Sequence, residues 1–450
     1  MPQTRFAKTG DGVHIAYQVA GAGPIDIVFV HSFVSHVELF LELPSFARMI
    51  REMGSFGRVV TFDKRGVGLS DRLSQIPTLE ARMDDLRAVL DAVGSSRAVL
   101  LVDGDGAALS CLFAATYPER TLGLALWGGG SRVAYAPDYP WGMRRERFEE
   151  RLLQRIELWG DDARAAESTR MTFLVSGEAL SRDPGFATWL SKIQRYGAAP
   201  GDLASFSRVW FETDARSALP AIQVPAVVLY REGWPTELME EARWTAEQIP
   251  GARLVPLSGD EDDPYLGDVA EVANAVERLV AFAQDEEAVF DRVLATVLFT
   301  DIVGSTQHAV DLGDAAWKDL LERHHAVVRA MIGRYRGVEV DTAGDGFLAT
   351  FDGPARGVRC AQAIAGAVRA LGIEIRAGLH TGEVETIDGK IGGIAVHIGA
   401  RVGALAGPSE ILVSSTVKDL VAGGGLTFED AGEHELKGVP DRWRLYRVVS

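Results

Sequence analysis

Short apolar runs separated by amphipathic segments make up most of the first 283 residues. Polar or glycine-containing turns bound these runs, and the segments between them repeat apolar residues at helical spacing. Alternation of this kind predicts a mainly parallel, doubly wound α/β sheet. The predicted strands are Ile25–Val30, Val59–Phe62, Ala98–Val102, Leu122–Trp127, Ala226–Tyr230 and Arg253–Pro256.

The strand pattern stops between about residues 131 and 216. This segment has helical spacing and is rich in aromatic residues, among them Trp141, Trp159, Trp189 and Trp210. We interpret it as a helical cap over the carboxyl edge of the sheet.

The pattern changes again after a polar, acidic break at residues 284–291, which we interpret as a linker. The first domain is then 1–283 and the second 292–450. An Asp-Gly pair at Asp345 and Gly346 is typical of tight hairpins. The order β-α-β-β-α-β predicts a ferredoxin-like α+β domain. Its predicted elements are strand Ala295–Asp301, helix 314–335, strand Val338–Thr342, strand Phe347–Phe351, helix 355–371 and strand Ile373–His380.

Length and composition agree with two globular domains. A chain of 450 residues exceeds one ordinary core, and 47% apolar with 24% charged residues is usual for globular proteins. No apolar run approaches the roughly 18 residues that a membrane span needs. The N-terminus lacks the apolar core of a signal peptide. Cys111 and Cys360 lie in apolar helical contexts and are interpreted as buried core residues. We therefore expect a cytoplasmic protein.

The formal net charge is −17, and most of the excess acid lies before residue 292. Neither domain has the basic surface typical of a nucleic-acid binder, so no nucleic-acid partner is expected. An anionic nucleotide would need a local metal ion and arginine rather than a general positive field.

A metal–phosphate site is predicted where an apolar strand ends at Asp301. Gly304, Ser305 and Thr306 follow and lead into a helix, whose first amides could hold a phosphate. Asp345 lies at the tip of a hairpin that is expected beside that strand. Two facing carboxylates need bridging cations, and oxygen ligands favour Mg²⁺ or Mn²⁺. Taken singly, Asp345 could be only a turn residue and Asp301 only a helix cap.

Three stretches of the first domain resemble the α/β-hydrolase fold. They are Val30–Phe33, Asp63–Ser70 and Tyr117–Arg120. Residues 103–107 occupy the place of the nucleophile elbow, with Asp105 at the nucleophile position. Some hydrolases of this fold use a carboxylate nucleophile, but they also need a later histidine.

This histidine is absent, because no histidine occurs between His36 and His308. Its expected position is Asp262, and the position of the acid is Trp234. We expect either a scaffold or a degenerate hydrolase that keeps a pocket for a small apolar ligand. An active hydrolase that uses Asp105 is the less favoured alternative, since proton transfer requires a base.

Five motifs of the second domain resemble the catalytic domain of class III nucleotidyl cyclases, in order and in spacing. They are Phe299–Thr306, Thr342–Gly346, Gly378–Glu383, Val396–Arg401 and Glu435–Gly438. The resemblance implies a cyclase that converts ATP or GTP to the 3′,5′-cyclic monophosphate. An α/β-hydrolase-like domain joined to such a cyclase also resembles a known bacterial arrangement.

The resemblance further implies a role for each motif residue. Two Mg²⁺ or Mn²⁺ ions per active site would be held by Asp301, Asp345 and the carbonyl of Ile302. The triphosphate would lie on the turn formed by Val303, Gly304, Ser305 and Thr306. Arg401 would stabilise the transition state, and Lys437 would contact phosphate. In this family the arginine comes from the other subunit, so a head-to-tail homodimer is expected.

Three positions depart from the usual cyclase pattern. His397 replaces the asparagine that orients the ribose. Asp341 and Lys390 occupy the two base-reading positions, where adenylate cyclases usually have Lys and Asp respectively, although the alignment of Lys390 could slip to Asp388. The bacterial members favour ATP, whereas the exchanged pair favours GTP; alternatively, Asp341 and Lys390 only pair with each other. A nucleotide-binding regulatory dimer with little turnover is a further alternative.

Overall fold

The computed structural model describes residues 2–72, 76–285, 292–387 and 390–449. The chain divides into two compact units, Met1–Pro77 with Ala81–Phe290, and Asp291–Ser450 with Thr78–Glu80. Each unit has its own eight-stranded sheet. Most of the predicted linker, residues 286–291, lies outside the described residues.

The N-terminal unit is built from eight strands and ten helices within the described residues. Its strands are β1 (Arg5–Lys8), β2 (His14–Ala20), β3 (Ile25–Val30), β4 (Gly57–Phe62), β5 (Ala98–Val102), β6 (Thr121–Trp127), β7 (Ala226–Arg231) and β8 (Arg253–Leu257). Its helices are α1 (Pro44–Gly54), α2 (Leu79–Ala92), α3 (Gly106–Thr116), α4 (Arg145–Glu157), α5 (Ala165–Thr172), α6 (Gly177–Leu180), α7 (Pro184–Gly197), α8 (Pro200–Glu212), α9 (Thr236–Gln248) and α10 (Val269–Asp285). Short 3₁₀ helices lie at Leu39–Glu42, Pro118–Arg120, Asp162–Arg164 and Arg216–Ala221.

The sheet of this unit has the order β1-β2-β4-β3-β5-β6-β7-β8. The six strands from β3 to β8 run parallel, which confirms the predicted doubly wound α/β architecture. β5 and β6 are buried along their whole length, because helices cover both faces of a parallel sheet. Strands β1 and β2 were not predicted. They form an antiparallel pair at one edge, where β1 is short and mostly exposed.

Helices α4 to α8 lie between β6 and β7, in the segment interpreted as a cap. Their buried faces carry aromatic residues such as Phe148, Phe186 and Trp189. The indole Nε1–H of Trp189 donates to the carbonyl of Leu39 at 2.9 Å. The cap helices therefore pack on the body of the same unit through large apolar side chains.

The C-terminal unit contains eight strands and five α-helices within the described residues. In chain order they are β9 (Arg292–Ile302), α11 (Ser305–Leu312), α12 (Asp314–Arg334), β10 (Val338–Ala343), β11 (Gly346–Phe351), α13 (Pro354–Val368), β12 (Ile375–Ile387), β13 (Lys390–Gly392), α14 (Ile394–Leu405), β14 (Ile411–Ser414), α15 (Ser415–Leu420), β15 (Thr427–Glu435) and β16 (Arg442–Val449). A short 3₁₀ helix, Arg369–Leu371, follows α13.

The sheet order of this unit is β10-β11-β9-β12-β14-β16-β15, with β13 paired to β12. Its first four strands have the arrangement of a ferredoxin-like core, which agrees with the predicted β-α-β-β-α-β order. The three strands β14, β15 and β16 extend the sheet beyond that core and were not predicted. β9 is central, and Val297 and Leu298 in it are buried.

Two compositional expectations can be compared with the structure. Cys111 and Cys360 are both buried and unpaired, and burial raises the pKa of each thiol to about 12. Among the described residues, no helix combines the length and the apolar content required to span a bilayer.

Candidate active site

The carboxylates of Asp301 and Asp345 meet at one end of the C-terminal sheet. β9 pairs with β11, and the turn of the β10–β11 hairpin carries Asp345 to the end of β9. The two carboxyl groups hydrogen-bond to each other, and the backbone N–H of Ile302 donates to Asp345 Oδ2 at 2.9 Å. The structure therefore brings the predicted acid pair and Ile302 together.

The two acids have opposite pKa shifts. Burial, followed by the neighbouring Asp301, raises the pKa of Asp345. Burial also acts to raise the pKa of Asp301, but hydrogen bonds from Asp345 and Arg376 lower it overall. Such a pair shares one proton readily, as expected for two like charges in contact.

Arg376 was not predicted from the sequence, yet it contacts the acid pair. It lies on β12 directly opposite Asp301 on β9, and its Nη2 donates to Asp301 Oδ2 at 2.6 Å. Both side chains are about 40% exposed, so the ion pair is open to solvent. With both acids ionised, one arginine leaves the group with a surplus of negative charge.

The turn after β9 leads directly into α11. Gly304 has φ +67°, a left-handed conformation that favours glycine, and it precedes the first residue of the helix. The first-turn amides of a helix have no intrahelical acceptors, so Ser305 and Thr306 present donors at this end. The backbone N–H of Val303 donates to the carbonyl of Glu374 at 2.9 Å, which anchors the turn to the sheet.

A cavity of about 280 Å³ adjoins the acid pair. Asp301, Asp341 and Arg376 line it, together with apolar residues of β9, β11 and α14. The carboxylate of Asp341 accepts a hydrogen bond from the backbone N–H of Thr342 at 2.9 Å. The predicted base-reading acid and the predicted metal acid thus face one cavity.

The other predicted catalytic residues lie on an exposed surface and do not line this cavity. His397 and Arg401 are one helical turn apart on α14. Arg401 Nε donates to the carbonyl of Lys437 at 3.1 Å, so Arg401 and Lys437 are adjacent. The site residues of one chain therefore form two separate sets.

Lys390 begins β13, and its backbone pairs with that of Ile387. Its side chain lies outside what the structure describes, as does the alternative residue Asp388. The predicted pairing of Lys390 with Asp341 stays a prediction.

Asp105 of the N-terminal unit is enclosed by cations. It is 2% exposed, and Lys64 Nζ donates to its two carboxylate oxygens at 2.8 and 3.0 Å. Arg82 also donates to it. Burial acts to raise the pKa of Asp105, but Lys64 and Arg82 lower it overall. The carboxylate is therefore ionised and fully engaged.

Asp262, at the position expected for a histidine, binds the cap. Its carboxylate accepts hydrogen bonds from the backbone amides of Leu174, Val175 and Ser176, at 2.8 to 3.1 Å. The hydroxyl of Ser176 donates to it as well, at 2.8 Å. Trp234, at the acid position, is buried, and its Nε1–H donates to the carbonyl of Glu261 at 3.0 Å.

Comparison with known families assigns the C-terminal unit. Residues 290–450 match the family model described as "Adenylate and Guanylate cyclase catalytic domain". This region is a nucleotidyl cyclase catalytic domain. The chain is 31% identical over 157 residues to "Putative adenylate cyclase 3" of Rhizobium meliloti (strain 1021), which is 33% of this chain. The chain spans only 27% of that relative's length.

The N-terminal unit is similar to α/β-hydrolases. The chain is 22% identical over 257 residues to the AB hydrolase superfamily protein YisY of Bacillus subtilis (strain 168), covering 56% of this chain and 90% of that protein. The crystal structure of bromoperoxidase from Bacillus anthracis matches with a TM-score of 0.52 and 19% identity, covering 63% of this chain and 100% of that one. At this identity the likeness shows the fold alone. We call the two units the hydrolase-like domain and the cyclase domain.

The cyclase domain fits the metal ions that its family implies. Asp301 and Asp345 are in contact, and when both are ionised the single Arg376 leaves a surplus of negative charge, which is the environment that a divalent cation neutralises. In the described part of the chain, no group of three or more His, Cys, Asp or Glu side chains is placed to hold a metal. Mg²⁺ typically binds one or two carboxylates and completes its coordination with water and substrate phosphates, so two acids suffice.

Proposed function

We propose that this chain is a nucleotidyl cyclase that converts a purine nucleoside triphosphate to its 3′,5′-cyclic monophosphate and pyrophosphate. The proposal rests mainly on the acid pair, which carries spare negative charge when both acids are ionised and lies beside the helix-terminal turn. Asp301 of this pair lines the same cavity as Asp341. In the reaction, the ribose 3′-oxygen forms a bond to the α-phosphorus and pyrophosphate leaves. The proton of the 3′-hydroxyl passes to solvent.

Residues of the cyclase domain would position the substrate for this step. Asp301, Asp345 and the carbonyl of Ile302 would hold two Mg²⁺ or Mn²⁺ ions, whose chemistry is to neutralise charge on the attacking and leaving oxygens. The amides of Ser305 and Thr306 would donate to the triphosphate. Arg376 would exchange its bond to Asp301 for the same phosphates, since a guanidinium is suited to both anions.

A second subunit would complete each site. Arg401, His397 and Lys437 lie outside the cavity of their own chain, yet the chemistry needs cations at the α-phosphorus. A head-to-tail homodimer places the exposed set of one chain against the acid pair of the other. Arg401 would then stabilise the developing charge, Lys437 would contact phosphate, and His397 would donate to the ribose.

The frequency of ATP as a substrate among bacterial cyclases favours ATP, whereas one observation favours GTP. Asp341 faces the cavity as a hydrogen-bond acceptor. Guanine presents N1–H and a 2-amino group as adjacent donors, whereas adenine N1 is an acceptor. Asp341 is exposed in the structure, and a bound base would cover it. A mismatched pair would then cost about 1–3 kcal/mol, which corresponds to roughly ten- to hundredfold selectivity for GTP.

The hydrolase-like domain would be regulatory rather than hydrolytic. Attack by Asp105 requires a free carboxylate, and Lys64 and Arg82 engage both of its oxygens. The general base is also missing, because Asp262 binds cap amides through both carboxylate oxygens. The buried geometry thus supports the interpretation of a degenerate hydrolase.

The test is to incubate the full chain with ATP or GTP and Mn²⁺ and to quantify cyclic product by chromatography. We expect turnover that Asp301→Ala abolishes, and no hydrolysis of an ester substrate. Nucleotide binding without cyclic product would show a regulatory dimer instead, and ester hydrolysis lost in Asp105→Asn would show an active hydrolase. Strong preference for ATP would contradict the argument from Asp341.

A further inference from the structure

The hydrolase-like domain encloses a cavity of about 300 Å³ under its cap. Its wall is mainly apolar and aromatic and includes five tryptophans, Trp127, Trp159, Trp189, Trp210 and Trp234. Ligand sites in proteins typically combine such a wall with a few polar groups that fix orientation. The polar groups of this wall therefore decide what the cavity can hold.

The acidic side chains of the wall are already engaged. Asp105 is bound by two cations, and Asp262 is bound by cap amides. Glu241 accepts from the hydroxyl of Tyr139 at 2.6 Å and from a backbone amide, and Asp263 accepts from the hydroxyl of Tyr265 at 2.7 Å. Burial raises the pKa of Glu241, and it raises that of Asp263 to about 7. These acids therefore leave no strong uncompensated negative charge to attract a cationic ligand.

Arg155 of α4 differs from these acids, because its charge has no partner among the described residues. It lines the cavity, its Nε is buried without a hydrogen-bond partner, and it forms no ion pair within the described ranges. Desolvation, followed by the like charge of Arg151, lowers the pKa of Arg155 to about 10, so it remains cationic at neutral pH. Arg155 is half-buried, and a cation that loses water without gaining a counter-charge is destabilising. An anion is the group that removes this cost.

Trp210 of α8 provides a second hydrogen-bond donor without an acceptor. Its indole Nε1–H is buried without an acceptor, and it lines the same cavity. The other two cap tryptophans of this wall differ, because Trp159 Nε1 donates to the carbonyl of Ala198 at 2.8 Å and Trp189 Nε1 donates to that of Leu39. Both donors line the same cavity, and a carboxylate has two oxygens that can accept from donors of both kinds.

We propose that this cavity binds a small carboxylic acid with an apolar body, and that Arg155 and Trp210 recognise its carboxylate. At about 30 Å³ for each water-sized group, 300 Å³ holds roughly ten non-hydrogen atoms. A medium-chain fatty acid or an aryl-alkanoic acid has this size. No covalent step is involved, and the assignment does not depend on cyclase activity.

The probe is octanoate, with octanamide as its neutral counterpart of the same size. We expect isothermal titration of the full-length chain to show octanoate binding at least about tenfold more tightly than octanamide, because a hydrogen bond to a charged group is the stronger one. This comparison uses the wild-type chain and needs no variant. Equal affinity for the two probes, or binding of neither, overturns the proposal.

Two variants test whether Arg155 and Trp210 produce the preference for octanoate over octanamide. Arg155→Met should reduce the affinity for octanoate to that for octanamide. Trp210→Phe should weaken octanoate binding about threefold, because it removes a single hydrogen-bond donor. The matched control is Arg147→Met, which removes an exposed arginine from the same helix and should retain the tenfold preference. Thermal unfolding of each variant verifies folding. Retention of the preference in a folded Arg155→Met chain would contradict the role given to Arg155.

Discussion

Asp105 of the hydrolase-like domain lies just after the buried strand β5, and Asp301 of the cyclase domain's acid pair lies at the end of the central strand β9. The charges of these two centres are balanced in opposite ways. The carboxylate of Asp105 is bound by two buried cations, so its charge is compensated within the chain. Two carboxylates in the cyclase domain share one half-exposed arginine. An acid neutralised within the chain serves the fold, whereas an acid pair with spare charge is available to a cation and a substrate.

The largest expected effect concerns the acid pair of the cyclase domain. Asp301→Asn and Arg401→Ala should each lower kcat by about 10³-fold, because each removes charge needed at the reacting phosphate. Mixed in equal amounts, the two variants should recover about one quarter of wild-type activity. Half of randomly formed dimers are then mixed, and each mixed dimer has one intact site of two.

The control for this experiment is Arg323→Ala, an exposed arginine on α12 with a side chain that is 57% accessible. It should retain activity alone and in mixtures. Absence of recovery after subunit exchange would show that the acid pair and Arg401 do not act across an interface.

The next effect concerns the compensated carboxylate of Asp105 in the hydrolase-like domain. Asp105→Asn removes the carboxylate that pairs directly with buried Lys64 and Arg82. Removal of one partner from a buried ion pair costs about 3–5 kcal/mol of unfolding free energy. Urea unfolding of the full chain would measure the loss. Asp91→Asn breaks the exposed pair with Arg120 and should cost about 1 kcal/mol or less. Equal losses in the two variants would remove the distinction between the two centres.

A smaller effect concerns Asp341, the third acid of the cyclase domain's cavity. Asp341→Ala should reduce the ratio of kcat/KM for GTP over ATP by about tenfold, since it removes the acceptor for guanine N1–H. Asp341→Asn is the matched variant of the same size, and it should reduce the ratio less. A ratio that is unchanged in both variants would show that Asp341 does not read the base.

The last effect, the smallest for a change of one pH unit, is a pH dependence at the Asp105 centre. Burial, partly offset by Asp105, lowers the pKa of Lys64 from 10.5 to about 8. Between these values the unfolded chain binds more protons than the folded one, so the contribution of Lys64 to stability rises with pH by about 1 kcal/mol per unit.

Lys64→Met should lack this contribution. The difference in unfolding free energy between wild type and Lys64→Met, measured from pH 8 to pH 10, checks the prediction. A difference that is constant over this range would mean that Lys64 keeps its proton in the fold.

The parts of the fold that sequence patterns predicted are those with strong local signals. The six parallel strands carry short apolar runs bounded by turns, and the Asp345–Gly346 turn identifies its hairpin. β1 was missed because it has four residues, three of them exposed. β14, β15 and β16 follow the last predicted element, and β15 is largely exposed.

The site residues divide in a similar way. Asp301 and Asp345 could be placed together, because a hairpin beside a strand limits where its tip lies. Arg376 could not, since its contact with Asp301 depends on a cross-strand register between residues 75 positions apart. The cations around Asp105 were also not predicted, because Lys64 and Arg82 approach it only in the folded domain.

The hydrogen bonds of Asp262 also affect how fast a ligand could enter or leave the cavity under the cap. Its carboxylate joins the body of the hydrolase-like domain to three consecutive amides of the cap. Opening the cap along this seam has to break all of these bonds together, so entry and exit of an occupant by that route are slow. A slow exchange averages over brief changes in ligand concentration. A binding domain of this kind would report a sustained level of its ligand rather than a momentary one.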